Sequence, residues 1–352
     1  MADPGTFLIY GANGFTGRLV AREAKRKGLR PVLAGRSAAP IQVLAAEWDL
    51  PWRVFDVSDK ATAIAALGDV EAVVNCAGPF SATSGPMIDA CLEARRHYLD
   101  ITGEIDVFVA AHARHAEARA AGIVTCPGVG FDVVPTDCLA AVLKEALPDA
   151  IELALGIDVG STPSAGTAKT MVEGLTGGGR VRRNGDIVAV PFAYRTRTID
   201  FGSGPALAVT IPWGDVATAY FSTGIPDIEV YVRTSPAAVF AMRSLNRMRP
   251  VLASTPVRNF LQRLAARSKG PSEAQLRGET SYGWGEARNP AGRISTARVT
   301  TPNGYRLTAD STLLAVQFVL SQRPQGGYYT PSRLMGPHCV ERLPGVSAIR
   351  IE

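Results

Sequence analysis

The sequence has few of the residues that mark a disulfide framework, a metal site or a membrane span. Its 352 residues include five cysteines and four histidines. The cysteines are widely spaced and form no C-x-x-C pair, so we expect buried thiols in a reducing compartment. No apolar run approaches the roughly 18 residues of a membrane span, and the first one, FLIY, is too short for a signal peptide. We therefore predict a cytoplasmic protein.

Several catalytic signatures are also missing. No G-x-S-x-G nucleophile elbow occurs. No tyrosine has a lysine four residues later, which argues against a short-chain dehydrogenase mechanism. The histidine pair His112 and His115 has no third ligand nearby, so we interpret it as a solvated helix face and predict no metal site.

What is present is a balanced globular composition, with 46% apolar and 20% charged residues. At about 150 residues per domain, this length favours two domains. From Phe7 to about Pro135, short apolar runs alternate with helix-like segments. The runs are FLIY, RPVLAG, WRVFDV, AVVNCAG, HYLDIT and GIVTCPG. This alternation predicts a Rossmann-type doubly wound parallel sheet over residues 1–135 in an α/β protein.

The pattern changes after Pro135. A helix is predicted from about Thr136 to Leu147, followed by short alternating strands such as YRTRTIDF and IEVYVRT. The turns NPAG and TPNG bracket the strand ISTARVTT, as in an antiparallel meander. We therefore predict a second α+β domain of mixed or antiparallel sheet over residues 136–304, used for substrate binding or oligomerisation. A long helix is predicted after TPNG.

A glycine-rich turn lies between the first strand and the first helix. Glycines there allow a tight turn and close approach to a diphosphate, and the helix N-terminus offers N–H groups to the anion. The turn predicts a dinucleotide site. Its predicted binding residues are Gly11, Asn13, Gly14, Phe15, Thr16 and Gly17.

The end of the second strand indicates which dinucleotide binds. NAD sites place an acidic residue there, whereas this strand ends in Arg36 and Ser37. An arginine fork and a hydroxyl suit a 2′-phosphate, so we predict NADP(H) as the cofactor. The alternative is a solvated surface arginine.

Two later strand ends should complete the cofactor site, because ligands lie at the carboxyl ends of such strands. Asp56 closes the third strand, and a turn of small residues closes the fourth. A helix cap and a structural turn are the alternatives. The predicted contacts in that turn are Cys76, Ala77, Gly78 and Pro79.

Motifs along nearly the whole chain resemble the saccharopine dehydrogenase-like oxidoreductases, in particular the branch of trans-acting enoyl reductases. They are GANGFTGRLVA, LAGRS, NCAGPF, YLDITGE, GVGFDVVPTD, VRRNGDIVAVP, ISTARVTTPNGY and YYTPSRLMGP. The resemblance implies that NADP(H) binds at Gly11, Gly14 and Gly17. It also implies that the chain returns to complete the first domain with residues 305–352.

Hydride transfer needs orientation and a proton donor, which should lie near the ends of strands four to six. The candidate catalytic residues are Asp100, Glu104 and Asp132. An acid in a partly apolar cleft could have a raised pKa and protonate a carbanion. The alternative is that these carboxylates cap helices and satisfy backbone donors.

The resemblance implies an NADPH-dependent oxidoreductase in lipid metabolism that reduces an activated C=C bond of a small-molecule or carrier-bound acyl substrate. One alternative is an enzyme of imine or amino-acid C–N bonds, for which Arg180, Arg182 and Arg183 could hold an α-carboxylate. The other is a non-catalytic, lipid-associated nucleotide-binding protein.

The basic segment, residues 233–269, holds eight arginines and lysines and no acidic residue, although the net charge of the chain is only +5. Apolar residues are interleaved with these cations, as in interfacial amphipathic helices. Three interpretations stay open: peripheral contact with an anionic membrane, docking of an acidic acyl carrier protein, or a solvated helix face. No nucleic-acid partner is predicted, because no aromatic stacking series accompanies the charge. A homodimer is one alternative for the oligomeric state.

Overall fold

The computed structural model describes residues 6–160, 162–252 and 254–352. These form two compact units, each built from two stretches of chain. The first unit contains the described residues up to Asp132 together with Tyr305–Met335. The second contains Val133–Gly304 and Gly336–Glu352.

Strands and helices alternate through the first third of the described chain. The strands are β1 (Phe7–Tyr10), β2 (Val32–Gly35), β3 (Trp52–Val54), β4 (Ala72–Asn75), β5 (His97–Asp100), β6 (Val124–Cys126), β7 (Glu152–Asp158), β8 (Gly179–Arg183), β9 (Asp186–Val190), β10 (Thr196–Asp200), β11 (Pro205–Thr210), β12 (Asp227–Arg233), β13 (Thr280–Arg288), β14 (Ile294–Pro302), β15 (Gly327–Tyr328) and β16 (Arg350–Ile351). The helices are α1 (Phe15–Arg26), α2 (Ala38–Trp48), α3 (Lys60–Ala66), α4 (Phe80–Ala94), α5 (Ile105–Ala113), α6 (His115–Ala121), α7 (Val134–Ala146), α8 (Ala165–Gly177), α9 (Asp215–Thr223), α10 (Pro236–Leu252), α11 (Thr255–Ala265), α12 (Glu273–Gly278), α13 (Gly304–Gln322) and α14 (Pro331–Met335), with a 3₁₀ turn at Cys339–Arg342.

The first unit is built on a seven-stranded sheet in the order β3-β2-β1-β4-β5-β6-β15, in which every pair is parallel. Strands β1, β2 and β4 are buried at every position, which explains their continuous apolar runs. The order reverses between β1 and β4, and such a switch point is where doubly wound sheets bind ligands. The predicted Rossmann-type sheet is confirmed.

Helix α13 fastens the returning chain to the first unit. The Ser311 hydroxyl donates to the Val129 carbonyl at 2.7 Å, and the Thr308 hydroxyl accepts from the Phe131 N–H at 3.0 Å. Farther along, β15 pairs with β6. These bonds fix the loop that follows β6.

The C-terminal boundary of the first unit differs from the expected 352. Residues 305–335 lie in the first unit, but Gly336–Glu352 lies in the second. The reason is that β16 pairs with β14 of the second sheet. The first boundary falls at Asp132, three residues before the expected position.

The second unit is built on a nine-stranded mixed sheet. Its central pair, β12 with β7, is parallel, whereas β13 pairs antiparallel with both β7 and β14. Helix α7 packs against β13, where a Cβ on Gly285 would lie 2.7 Å from Leu143. Glycine in β13 thus permits close helix-to-sheet packing, and the predicted second α+β domain is confirmed.

The two histidines predicted to face solvent both contact Tyr328. His115 Nδ1 accepts from the Tyr328 N–H at 3.1 Å, and the His112 ring meets the Tyr328 ring edge-on at 5.0 Å. No cluster of three metal-ligating side chains occurs in the described part of the chain. Among the same residues, no helix is both long enough and apolar enough to cross a bilayer.

The attachment of α13 predicts unequal effects for two serines on this helix. Ser311→Ala leaves the buried Val129 carbonyl without its donor, so the free energy of unfolding should fall by about 1–2 kcal/mol. Ser321→Ala, at an exposed position of the same helix, should change it by less than about 0.5 kcal/mol. Chemical denaturation of both variants measures this, and equal losses would contradict the attachment.

Candidate functional site

The turn between β1 and α1 is held by its own backbone and packs against the turn after β4. Gly11 has a φ of +79°, and its N–H donates to the Ala34 carbonyl at 2.8 Å. A Cβ on Gly11 would lie 2.8 Å from the Ala77 nitrogen, and one on Gly17 would collide with the Gly11 carbonyl oxygen. Only glycine fits at both positions, which keeps the backbone close to any ligand at this edge.

The N-terminus of α1 is suited to an anion. No side chain caps it from Gly14, and the first turn of the helix contains no acidic residue. Asn13 and Gly14 are exposed, while Phe15 and Thr16 are half-buried. The first N–H groups and the positive end of the helix dipole are thus available to a diphosphate.

Arg36 and Ser37 directly follow β2 and are both exposed. Arg36 has no salt-bridge partner among the side chains that the structure describes. Its guanidinium can therefore bind a phosphate without first breaking an ion pair.

Asp56 lies two residues beyond β3 and forms a local turn. Its carboxylate accepts from the Ser58 N–H at 2.9 Å and from the Ser58 hydroxyl at 2.7 Å. These bonds lower the pKa of Asp56, and the charge of Arg36 lowers it further. Asp56 and Arg36 thus influence each other electrostatically, while the contact of Asp56 with a nucleotide stays a prediction.

The turn after β4 is fixed by a buried amide. Asn75 Oδ1 accepts from the Ala77 N–H at 3.0 Å, and the Thr83 hydroxyl donates to the Ala77 carbonyl at 2.6 Å. Cys76, Ala77 and Pro79 are half-buried, and Gly78 is exposed. The structure thus brings this turn against the glycine turn, as expected for one cofactor site.

Asp100, at the end of β5, is fully buried and saturated with hydrogen bonds. Its Oδ1 accepts from the N–H groups of Thr102 and Gly128, at 3.0 and 2.9 Å. Its Oδ2 accepts from the hydroxyls of Tyr98 and Ser84, at 2.6 and 3.2 Å. Burial raises the pKa of Asp100, and the bond from Tyr98 is the largest opposing influence. This arrangement favours the structural alternative for Asp100 over a catalytic role.

Glu104 caps the helix that follows β4. Its two carboxylate oxygens accept from the N–H groups of Phe80 and Ser81, at 3.0 and 2.8 Å. Because α4 begins at Phe80, Glu104 supplies the side-chain cap that Pro79 cannot. The structural alternative is favoured here as well.

Asp132 differs from the other two acids. Its carboxyl is half-buried beside Gly103, where a Cβ would lie 3.0 Å from Asp132 Oδ2. Burial raises the pKa of Asp132 to about 6. Hydrogen bonds that Phe131 and Val129 form with α13 hold the residues that precede Asp132, so the position of its backbone is fixed. Of the three predicted acids, Asp132 is the one best suited to donate a proton near neutral pH.

Two of the three arginines proposed for a substrate carboxylate already serve the second unit. Arg182 is buried, donates to the Val216 carbonyl at 2.8 Å and stacks on Tyr220. Arg183 forms an ion pair with Glu229. The predicted carboxylate clamp is therefore not formed by this pair, because both guanidinium groups have partners within the fold.

The polar network around Asp100 was largely missed from the sequence. Tyr98 and Asp100 lie two residues apart in β5 and so share a face, but nothing in the sequence marks Ser84 of α4 as their partner. The sequence gives an equally weak indication that Thr308 and Ser311 bond to the loop after β6, since both lie among apolar positions of a helix.

Comparison with known proteins agrees with this site. The family model of the saccharopine dehydrogenase NADP binding domain matches residues 7–126. The match indicates that NADP(H) is the cofactor of the first unit. The glycine turn, the uncapped N-terminus of α1 and the exposed Arg36 are suited to bind NADP(H).

Two curated relatives each match part of the chain. The trans-acting enoyl reductase of Mycobacterium bovis is 32% identical over 146 residues, covering 37% of this chain and 33% of the relative. A saccharopine dehydrogenase-like oxidoreductase of Mus musculus is 27% identical over 154 residues, covering 38% of this chain and 36% of the relative. The chain thus covers about a third of the length of these relatives.

The fold as a whole resembles a solved enzyme structure. Apo saccharopine dehydrogenase (L-Glu forming) from Saccharomyces cerevisiae superposes with a TM-score of 0.63 and 11% identity, covering 99% of both chains. At this identity the likeness establishes the fold alone.

The position of Arg36 predicts cofactor selectivity. Arg36→Ala should weaken NADPH binding by about 2 kcal/mol, the scale of charge-assisted hydrogen bonds, and leave NADH binding nearly unchanged. Fluorescence titration with both cofactors measures this, with exposed Arg119→Ala as the control. Equal losses for NADPH and NADH would show that Arg36 does not bind the 2′-phosphate.

The raised pKa of Asp132 predicts a pH-dependent stability. Its folded-state pKa of about 6 exceeds the ordinary value of about 3.9, so the folded state favours the protonated carboxyl. The wild type should therefore lose stability relative to Asp132→Asn as pH rises from about 4 to about 6. The expected loss is about 1–2 kcal/mol, because the carboxyl is only half-buried.

Unfolding curves collected from about pH 4 to pH 7 test this sign. The exposed Asp106→Asn variant, in the same unit, provides the matched control. A difference between wild type and Asp132→Asn that does not change with pH would show that the Asp132 pKa is not raised.

Proposed function

Starting from the match of residues 7–126 to an NADP-binding domain, we propose that this protein is an NADPH-dependent oxidoreductase that reduces an activated C=C bond of a lipid or polyketide-like acyl compound. The observation that carries the enzymatic part is the placement of Asp132. Its carboxyl lies beside Gly103, on a loop held by α13, in the unit that contains the cofactor turn, and burial raises its pKa to about 6. The choice of a C=C bond is supported by the 32% identity to a trans-acting enoyl reductase.

Each part of the proposed site has a physical task. When bound, NADPH supplies the hydride. The turn Gly11–Gly17 and the N-terminus of α1 hold the diphosphate, and Arg36 with Ser37 holds the 2′-phosphate. The small residues Ala77 and Gly78 let substrate approach the strand ends closely.

Asp132 supplies the proton that completes the reduction of the C=C bond. Adding a hydride to the β-carbon of an enoyl group leaves negative charge on the α-carbon and carbonyl oxygen. The protonated Asp132 carboxyl then donates its proton to the α-carbon, which leaves a saturated acyl group and a carboxylate. A pKa of about 6 keeps part of the carboxyl population protonated near neutral pH.

The C–N alternative has lost part of its support. It required paired arginines to hold an α-carboxylate, and both Arg182 and Arg183 have partners within the second unit. A charged clamp is unnecessary for an acyl thioester or enone. The contacts thus favour the C=C proposal over the amino-acid one.

Consumption of NADPH against two substrate panels tests the proposal. We expect turnover with enoyl thioesters and enones, and none with amino acids paired with carbonyl compounds. Asp132→Asn should reduce kcat by about 100-fold or more with NADPH affinity unchanged. In the wild type, kcat should fall as pH rises above about 6, because the acid loses its proton.

The control is Asp106→Asn, which should retain wild-type turnover. Turnover with the amino-acid panel alone would overturn the C=C proposal. NADPH binding without turnover in either panel would favour a non-catalytic binding protein.

A further inference from the structure

Two neighbouring helices of the second unit expose large apolar side chains to solvent. Phe240 of α10 is 76% exposed, and Phe260 and Leu264 of α11 are 66% and 55% exposed. The two helices are in contact, and phenylalanine and leucine side chains that are more than half exposed on adjoining helices are unusual for a protein surface without a partner. We call the surface formed by Phe240, Arg247, Phe260, Arg263, Leu264 and Arg267 the Phe-Arg surface.

The apolar residues of the Phe-Arg surface lie outside the faces that pack these helices onto the unit. On α10, the packing side holds Val239, which joins a buried cluster with Ala193, and Asn246, which bonds to the Phe192 backbone. Phe240 is not part of that cluster. The fold therefore gives no reason for an aromatic side chain at position 240.

The second helix shows the same division. Ala265 of α11 is buried, and Gln262 donates to the Lys169 carbonyl of α8 at 3.2 Å. Phe260 and Leu264 lie one turn apart at i and i+4, so they share the opposite, exposed face, and the exposed Arg267 follows two residues after the helix ends. Each helix thus uses one face for packing and presents apolar and basic residues on the other.

The charge of the Phe-Arg surface is positive and largely unneutralised. No acidic residue occurs between Glu229 and Glu273. Arg233 forms an ion pair with Asp158, but the arginines of the Phe-Arg surface have no salt-bridge partner among the side chains that the structure describes. Within the basic segment, residue 253 and the side chains of residues 248–252, including Arg249, lie outside the described part.

We propose that the Phe-Arg surface binds an anionic lipid bilayer. Phenylalanine and leucine side chains interleaved with arginines are what interfacial helices insert at the boundary between headgroups and acyl chains. The arginines would meet the lipid phosphates. A folded protein partner would need a matching pocket for each of the three apolar side chains, whereas a bilayer accommodates them at any spacing.

The proposal concerns the second unit and does not depend on the reaction in the first. Turnover could fail in every substrate panel while the bilayer contact stands, and the reverse is equally true. Thermal unfolding followed by circular dichroism can therefore report on the integrity of every variant without testing the bilayer contact.

Vesicle flotation with the full chain tests the proposal. We expect flotation with vesicles that mix phosphatidylglycerol with phosphatidylcholine, little with phosphatidylcholine alone, and a decrease as salt is raised. The double variants Phe260→Ser/Leu264→Ser and Arg263→Ser/Arg267→Ser should each reduce partitioning about tenfold or more. All four positions are exposed, so folding should be preserved.

The matched control is Arg119→Ser/Arg293→Ser, which removes the same charge from exposed positions outside the Phe-Arg surface. It should float like the wild type. Equal flotation with neutral and anionic vesicles, or no flotation at all, would overturn the proposal. So would an equal loss in the control, because binding would then depend on net charge alone.

Discussion

The saturated carboxylate of Asp100 is the constraint on which the ligand-binding edge of the first sheet depends. A buried carboxylate is costly unless donors surround it, and here four donors come from β5, the loops after β5 and β6, and helix α4. Satisfying one charge therefore fixes the ends of two strands and the helix beside them. Glu104 adds to this by capping α4 through Phe80 and Ser81.

The three candidate acids of the first unit have different surroundings. Asp100 and Glu104 spend their oxygens on protein donors, so neither suits proton transfer to a substrate. Asp132 lies on a loop that α13 holds in place, and burial raises its pKa to about 6. The glycine turn forms the other part of the site. Gly11 packs closely on Ala77, and no side chain caps the N-terminus of α1 at Gly14, so its N–H groups can bind an anion. The glycine turn and Asp132 are therefore the parts of the first unit on which the proposed function depends.

Local sequence patterns predicted the first sheet and the glycine turn well, because a buried parallel strand such as β1 is apolar at every position. They could not locate partners that are distant in sequence. Ser84 meets Asp100 and Val216 meets Arg182 only through tertiary folding. The position of Gly336–Glu352 in the second unit was equally hard to predict, since the two-residue strand β16 is too short to show a periodic pattern and its place depends on pairing with β14.

NADP(H) should bind across the glycine turn and the turns that follow β2 and β4. Hydrogen–deuterium exchange with and without NADPH measures this directly. With NADPH bound, amide hydrogens of residues 11–17, 36–37 and 76–79 should exchange more slowly. The exchange rates in the β-sheet of the second unit should not change. Protection confined to the second unit, or no protection at saturating NADPH, would contradict it.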